Sequence, residues 1–324
     1  MDHGGALVPP DSQTPSGRDD TVAPGRFVSG GLRVRLLNWL RNALPASFDG
    51  PRPIPLKALR RMDAETLLRR SRALADAVYV GDRTVLCRVL SRYRLYVASD
   101  DVGFGVHVML DGLWEGWLTA FMARRIRPGM RIVDAGANHG YYTLLFAHLA
   151  GPEGRVAAIE PNPRLAGLMR RSLYANGFDP RVDLFELAAG AGDDETLHLS
   201  VPGHEPKNGH LIGEAAPGTV AVAGARLETL LADWPRVDFM KVDVEGHEEA
   251  FLDGAWAIIQ RDRPMLVLEF NALRCVDPGG LLDRLEGLYG HIQIIGRDSR
   301  ATPADRTRLL YTTRSEDWML FFGP

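Results

Sequence analysis

The stretch that most constrains this chain is Arg131-Ile-Val-Asp-Ala-Gly-Ala-Asn-His-Gly140. Ile132 and Val133 are β-branched and follow Pro128-Gly129, which predicts a short buried parallel strand closed by Asp134. Gly136, Asn138 and Gly140 come next at spacings of two, and Tyr141 to Ala150 then has helical character up to Gly151-Pro152. Strand, tight glycine loop and helix together aim free backbone N–H groups and a helix N-terminus at one docking point. Glycine is needed where a side chain would meet the ligand or where φ is positive. Asparagine also visits positive φ readily.

Many cofactors use such a turn, and two acids narrow the choice. In a dinucleotide-binding turn the first strand runs straight into its glycines, whereas Asp134 stands before the loop here. Glu160 ends a second apolar strand, Arg155-Val-Ala-Ala-Ile159, at a place where a carboxylate can accept both hydroxyls of a ribose. The two acids favour an adenosine-bearing cofactor with a cationic end, and they disfavour a nicotinamide dehydrogenase, as does Asn138 in place of a glycine.

The 324 residues suffice for one large core with an appended piece. A net charge of −3 gives no electrostatic case for nucleic-acid binding, which needs clustered lysine and arginine. Cys87 and Cys275 are too far apart in sequence for metal spacing or a disulfide framework. With no signal-peptide pattern at the start and no apolar run of membrane-spanning length, a cytoplasmic protein is expected.

Residues 1–31, rich in Pro, Gly, Ser and Asp, are expected to be a disordered tail. An amphipathic helix is predicted over 32–44, docked on the protein's own core, and a second over about 64–78. Strands are predicted at 84–90, 94–98 and 105–109, with a helix from Trp114 to Arg125. Asn162-Pro163 is an N-cap followed by proline in the first turn, opening a helix that stops at Gly177. Further strands are expected at 182–187, 195–201, 219–223, 238–243, 265–270, 291–295 and 318–322. Strands alternating with helices predict a parallel sheet covered on both faces. The Gly- and Pro-rich loop 202–218, with His204, Lys207, Asn208 and His210, is a candidate lid over an acceptor.

Four blocks carry a resemblance: V-D-A-G-A-N-H-G-Y-Y-T, then A-I-E-P-N-P, K-V-D-V-E-G-H-E, and R-P-M-L-V-L-E. In this order, over roughly Gly112 to Glu269, the chain resembles the FkbM family of S-adenosylmethionine-dependent methyltransferases. The resemblance implies an α/β, Rossmann-like class I methyltransferase fold with a seven-stranded, mostly parallel sheet and an antiparallel final strand. It places that domain over 111–324, behind an N-terminal helical and β extension over 32–110. It implies S-adenosyl-L-methionine held by Asp134, Gly136, Asn138, Gly140 and Glu160. Asn162, Ala188 and Glu115 complete that set, Glu115 standing where the family commonly has an acid. The family has small aliphatic residues where His139 and His247 stand, so neither histidine is carried over from it.

In an open parallel sheet the ligand lies beyond the carboxyl ends of the strands, where Asp134, Glu160, Asp243 and Glu269 all fall. The resemblance implies methyl transfer to an acceptor, with a hydroxyl of a saccharide, lipid or secondary metabolite expected. Asp243 is the candidate base, with Glu245 and His139 beside it and no metal. His204, His210 and His247 are further candidate bases. Transfer to nitrogen or carbon, and a cofactor-binding sensor without turnover, are the alternatives. Lys241, inside a central strand, needs paired acids, and Asp134 and Glu269 on the adjacent strands are the expected partners.

Overall fold

The computed structural model describes residues 51–203 and 209–323; the tail, the segment 32–44 and loop residues 204–208 lie outside the described residues. Short helices at Leu56–Leu59 and Ala64–Arg72 lead into an antiparallel sheet of β1 (Ala77–Tyr79), β2 (Thr84–Val89) and β3 (Tyr93–Ala98). The helix predicted over 64–78 therefore ends early. Its last two residues, Ala77 and Val78, pair with β2 instead, together with Tyr79 just beyond them. The segment 105–109 is a helix, Phe104–Asp111, and not a strand. Asp101 Oδ1 accepts from the N–H groups of Gly103 and Phe104, a cap that the alternation of Val106 and Val108 conceals.

After the helix Gly116–Arg125 come β4 (Arg131–Ala135), β5 (Arg155–Ile159) and β6 (Val182–Phe185), parallel and in register. A smaller sheet follows, built from β7 (Ala188–Ala189), β8 (Glu195–Ser200), β9 (His210–Ile212) and β10 (Val220–Ala225). Strand β9 forms inside the loop expected over 202–218. The chain then returns to the main sheet with β11 (Phe239–Val242), β12 (Met265–Phe270), β13 (Gln293–Ile295), β14 (Ala301–Pro303) and β15 (Trp318–Phe322).

The main sheet runs β14-β13-β15-β12-β11-β4-β5-β6, with β15 antiparallel to β12 and to β13. It contains the expected seven strands and adds an eighth, β14, at the edge against β13. Three residues, one of them Pro303, give too short a pattern to register in the sequence. The order reverses between β4 and β11, which places the switch point beside the glycine loop.

Alternation along the central strands sorts their side chains into two cores. Ile132, Val156 and Ala158 face one with Phe121, Leu144 and Phe146 from the helices Gly116–Arg125 and Tyr141–Ala150. Val133, Ala157 and Ile159 face the other with Leu252, Ile259 and Leu282 from the helices after β11 and β12. A fully buried aliphatic side chain contributes about 1.5–3 kcal/mol, so this two-sided burial is the main support of the sheet. The N-terminal pieces join the first core through Ile54, Leu59, Leu67, Cys87 and Leu95. The N-terminal sheet is tied to the helix Pro163–Asn176, where Tyr96 N–H, in β3, donates to Ser172 Oγ at 2.9 Å. Among the described residues no helix is long and apolar enough to cross a membrane.

Candidate active site

The glycine loop is held open by backbone geometry. Gly136 has φ of +70°, and a Cβ there would lie 1.7 Å from the carbonyl oxygen of Asp243. Only glycine lets β4's loop pass β11 this closely. Asn138 adopts φ of +56° without being glycine. Its side-chain oxygen accepts from the His139 N–H at 2.9 Å and lies 2.6 Å from His139 Nδ1. Gly140, at φ of +88°, starts the following helix against Met169.

Glu160 closes the other side of the cleft. One carboxylate oxygen accepts from Asn138 N–H and the other from Asn162 N–H, each at 2.8 Å. Burial pushes its pKa up to about 7, against the pull of those two N–H donors. Asn162 caps its helix by accepting from Arg164 N–H, and it lines the cleft with Ala188 and Tyr142.

Asp134 is fully buried at the end of β4. Thr143 Oγ donates to one oxygen at 2.6 Å, while the other, which faces Lys241, has no hydrogen-bond partner among the described residues. Burial raises its pKa, and Lys241, 4.0 Å away, works against that shift. Register sets Lys241 opposite Asp134. Its closer partner is Asp243 on its own chain segment, at 3.1 Å, and not Glu269 as expected. The Glu269 carboxylate is taken by Arg274 instead. Burial alone would lower the lysine, but Asp243 and Asp134 outweigh it and hold the ammonium protonated.

His139, the expected helper of Asp243, is not placed as a free base. Its ring is wholly buried, stacked on Phe104 with centroids 4.9 Å apart, and its Nε2 accepts from Ala98 N–H. Burial pulls its pKa down to about 3. The ring is a structural link between the N-terminal sheet and the cofactor loop, occupying volume that a small aliphatic side chain would leave empty. His247 lines the cleft with a buried Nε2 that has no hydrogen-bond partner among the described residues, and burial lowers its pKa too.

Glu115 lies outside the glycine cleft. It stands in the left-handed region, at φ of +38°, and makes no cap bond to the helix it precedes. Its carboxylate accepts from Tyr142 Oη at 2.9 Å and lines a second cavity of about 890 Å3. Burial raises its pKa, and the charge of Asp243 adds to that. Asp243 and Glu245 line both spaces, so they stand where cleft and cavity meet.

The second cavity also takes residues that sequence reasoning passed over. Trp117, Arg297 and Trp318 converge from three separate segments, and no local motif marks them. Arg274 donates to Glu245 at 3.0 Å and to Glu269 at 3.3 Å. Asp243, Glu245 and Glu269 each offer an oxygen within 4.8 Å of the others, a spacing that could hold a metal ion. The fold thus assembles a carboxylate group that the sequence does not foretell. Arg274 already supplies a cation to two of its three members.

The fold is of the α/β, Rossmann-like class I methyltransferase type. Residues 134–288 match the family model described as the methyltransferase FkbM domain. Among curated relatives, the chain is 30% identical over 37% of its length to protein-L-isoaspartate O-methyltransferase 1 of Arabidopsis thaliana, and it spans 51% of that protein. It is 27% identical over 59% of its length to demethylmenaquinone methyltransferase of Symbiobacterium thermophilum, spanning 79% of that protein. A solved FkbM methyltransferase from Methylobacillus flagellatus KT overlaps 64% of this chain and 53% of its own, with 17% identity and a TM-score of 0.40. The chain thus spans about half the length of the first of these relatives. The cofactor of the class, S-adenosyl-L-methionine, fits what is present: a cradle that a Cβ would fill at Gly136, an orphaned buried oxygen on Asp134, and Glu160 beside the loop.

Proposed function

We propose that the protein moves a methyl group from S-adenosyl-L-methionine to a hydroxyl oxygen of a small acceptor. The observation that carries this reading is the meeting of the glycine cleft and the second cavity at Asp243 and Glu245. A methyl donor in the first space and an acceptor in the second would then face each other across carboxylates. When bound, the cofactor supplies a methyl on a positively charged sulfur, already a strong electrophile. The chain's own task is alignment, exclusion of water and removal of one proton.

In this reading Gly136, Asn138 and Gly140 leave room for the cofactor's backbone approach, and Glu160 accepts from the ribose. Asp134, with Lys241 beneath it, keeps the cleft's charge near balance. Asp243 is fixed by Lys241 and orients the acceptor hydroxyl. Glu245, at the junction, or Glu115, on the second cavity's side, would share the departing proton. The strands flanking loop 202–218 support an acceptor role for it, since Pro202 and His210 line the second cavity. Transfer to nitrogen is the second reading, favoured by the carboxylates around the junction, which would also hold an ammonium.

Calorimetry with S-adenosylmethionine and its demethylated product tests the cofactor assignment. Mass spectrometry of the labelled product separates O-methylation from N-methylation. Binding of NAD with none of either sulfur compound would sink the reading.

A further inference from the structure

Among the described residues the second cavity is lined by six carboxyl groups, those of Glu115, Asp243, Glu245, Glu269, Glu316 and Asp317, against two guanidinium groups. One of the two, Arg274, is already engaged by Glu245, Glu269 and, at 3.5 Å, Asp317. The other, Arg297, lies 4.7 Å from the ring centre of Trp117. Asp243 has Lys241. Three tryptophans, Trp114, Trp117 and Trp318, stand among these acids.

We infer that this cavity receives a neutral, hydroxyl-rich acceptor of sugar-like shape, gripped at its hydroxyls by carboxylates and at its C–H faces by tryptophan. The inference rests on the hydroxyl-methylation reading and names its substrate class. Two alternatives fail on charge and solvation, and a third competes with cations already in place. An acceptor bearing phosphate or carboxylate would enter a field set by six acids, with one of the two guanidiniums already spoken for. An alkyl chain would strip water from those acids and offer no donor in return, a large desolvation penalty. An ammonium would be tolerated, but Arg274 and Lys241 already supply cations to the crowded acids. A polyol gives each carboxylate an O–H donor, and hydrogen bonds to ionised acceptors are the strong ones. A pyranose also carries flat apolar faces, which indole rings can cover while their polar edge stays wet. The volume, about 890 Å3, lies in the range of small-molecule pockets and exceeds what one monosaccharide fills.

The experiment is ligand-observed NMR on the full chain, with and without S-adenosylhomocysteine. The probes are methyl glycopyranosides, the matching 6-phosphates, 2-amino-2-deoxy glycosides and a long-chain primary alcohol. Neutral glycosides should bind, and the phosphates at least tenfold more weakly. Trp318→Ala should weaken glycoside binding about tenfold and Glu316→Gln about threefold, with S-adenosylhomocysteine affinity unmoved. Because Glu316 is exposed, the second variant keeps the test valid if the first fails to fold. Equal or tighter binding of the phosphate, the alcohol or the amino sugar overturns the inference, as does no glycoside binding at all. Titrations without cofactor judge the cavity even if S-adenosylhomocysteine fails to bind, a result that would count against the methyl-transfer reading instead.

Discussion

The two spaces that meet at Asp243 are built by different means. The glycine cleft is lined mainly by short blocks within 136–142, 159–162, 188–189 and 241–247, joined by Phe104, Trp114, Leu199, Gly209 and Leu211. Its polar contacts are mostly to main-chain N–H groups, as at Glu160. The second cavity is made of side chains drawn from 114–117, 202, 210, 243–245, 269–274, 294–297 and 316–319. Its polar contacts are between side chains, as in the Arg274 network. A backbone-built site tolerates little substitution and binds one kind of ligand. A side-chain-built site can change occupant without altering the fold.

If that contrast holds, the largest effect belongs to Gly136→Ala. Its Cβ would collide with backbone, which cannot yield as a side chain can, so cofactor binding should be lost altogether in calorimetry. Cofactor affinity retained within a few fold would show that the loop is less tightly built than its geometry states. Next is Asp243→Asn, a nearly isosteric change at the junction. Turnover should fall by about two orders of magnitude, the usual scale for a group acting on the transferred proton, with cofactor affinity largely kept. Near-normal turnover would shift that work to Glu245 or Glu115.

Glu160→Ala should weaken cofactor binding about 10- to 100-fold, the range for losing one or two charge-assisted hydrogen bonds. The same residue predicts a pH dependence. Its carboxyl has a pKa raised to about 7 by burial, so it is protonated below that point and ionised above it. Ribose hydroxyls donate to the ionised form, so cofactor affinity should rise as pH increases through about 7, with proton release detectable by calorimetry in buffers of different ionisation enthalpy. Affinity flat from pH 6 to 8 would mean that the carboxylate is ionised throughout.

The smallest effect expected is at the link between the N-terminal sheet and the loop. His139→Ala removes the acceptor for Ala98 N–H and the stacking on Phe104, so it should lower thermal stability by the equivalent of about 2–4 kcal/mol. The acid limb of the pH–rate profile should stay in place, because a ring with pKa near 3 is not the titrating base. A lost limb would restore His139 to the chemistry.

Much of the cleft was legible because its determinants are local. Asp134, the glycine spacing, Glu160 and the Asn162-Pro163 cap each express a backbone requirement within a few residues. Two site expectations shifted for reasons that no local pattern holds. His139 lies inside the loop in sequence, yet Phe104 and Ala98, more than thirty residues earlier, claim its ring. Glu115 precedes a helix as a dipole-complementing acid would, yet its positive φ turns the carboxylate toward Tyr142 and the second cavity.

The sequence by itself determined that alternating strands and helices would stack into a parallel sheet with an adenosine-type cleft at its switch point. Periodicity and glycine positions suffice for that, because each acts over one or two turns of chain. Only the tertiary structure decided the cluster of Asp243, Glu245 and Glu269, the claim of Arg274 on it, and the convergence of Trp114, Trp117 and Trp318. These residues are separated by up to 204 positions, from Trp114 to Trp318, and meet because the antiparallel β15 returns the chain beside β12. Side-chain charge at such distances is set by which strands become neighbours, and neighbourhood is a property of the whole sheet.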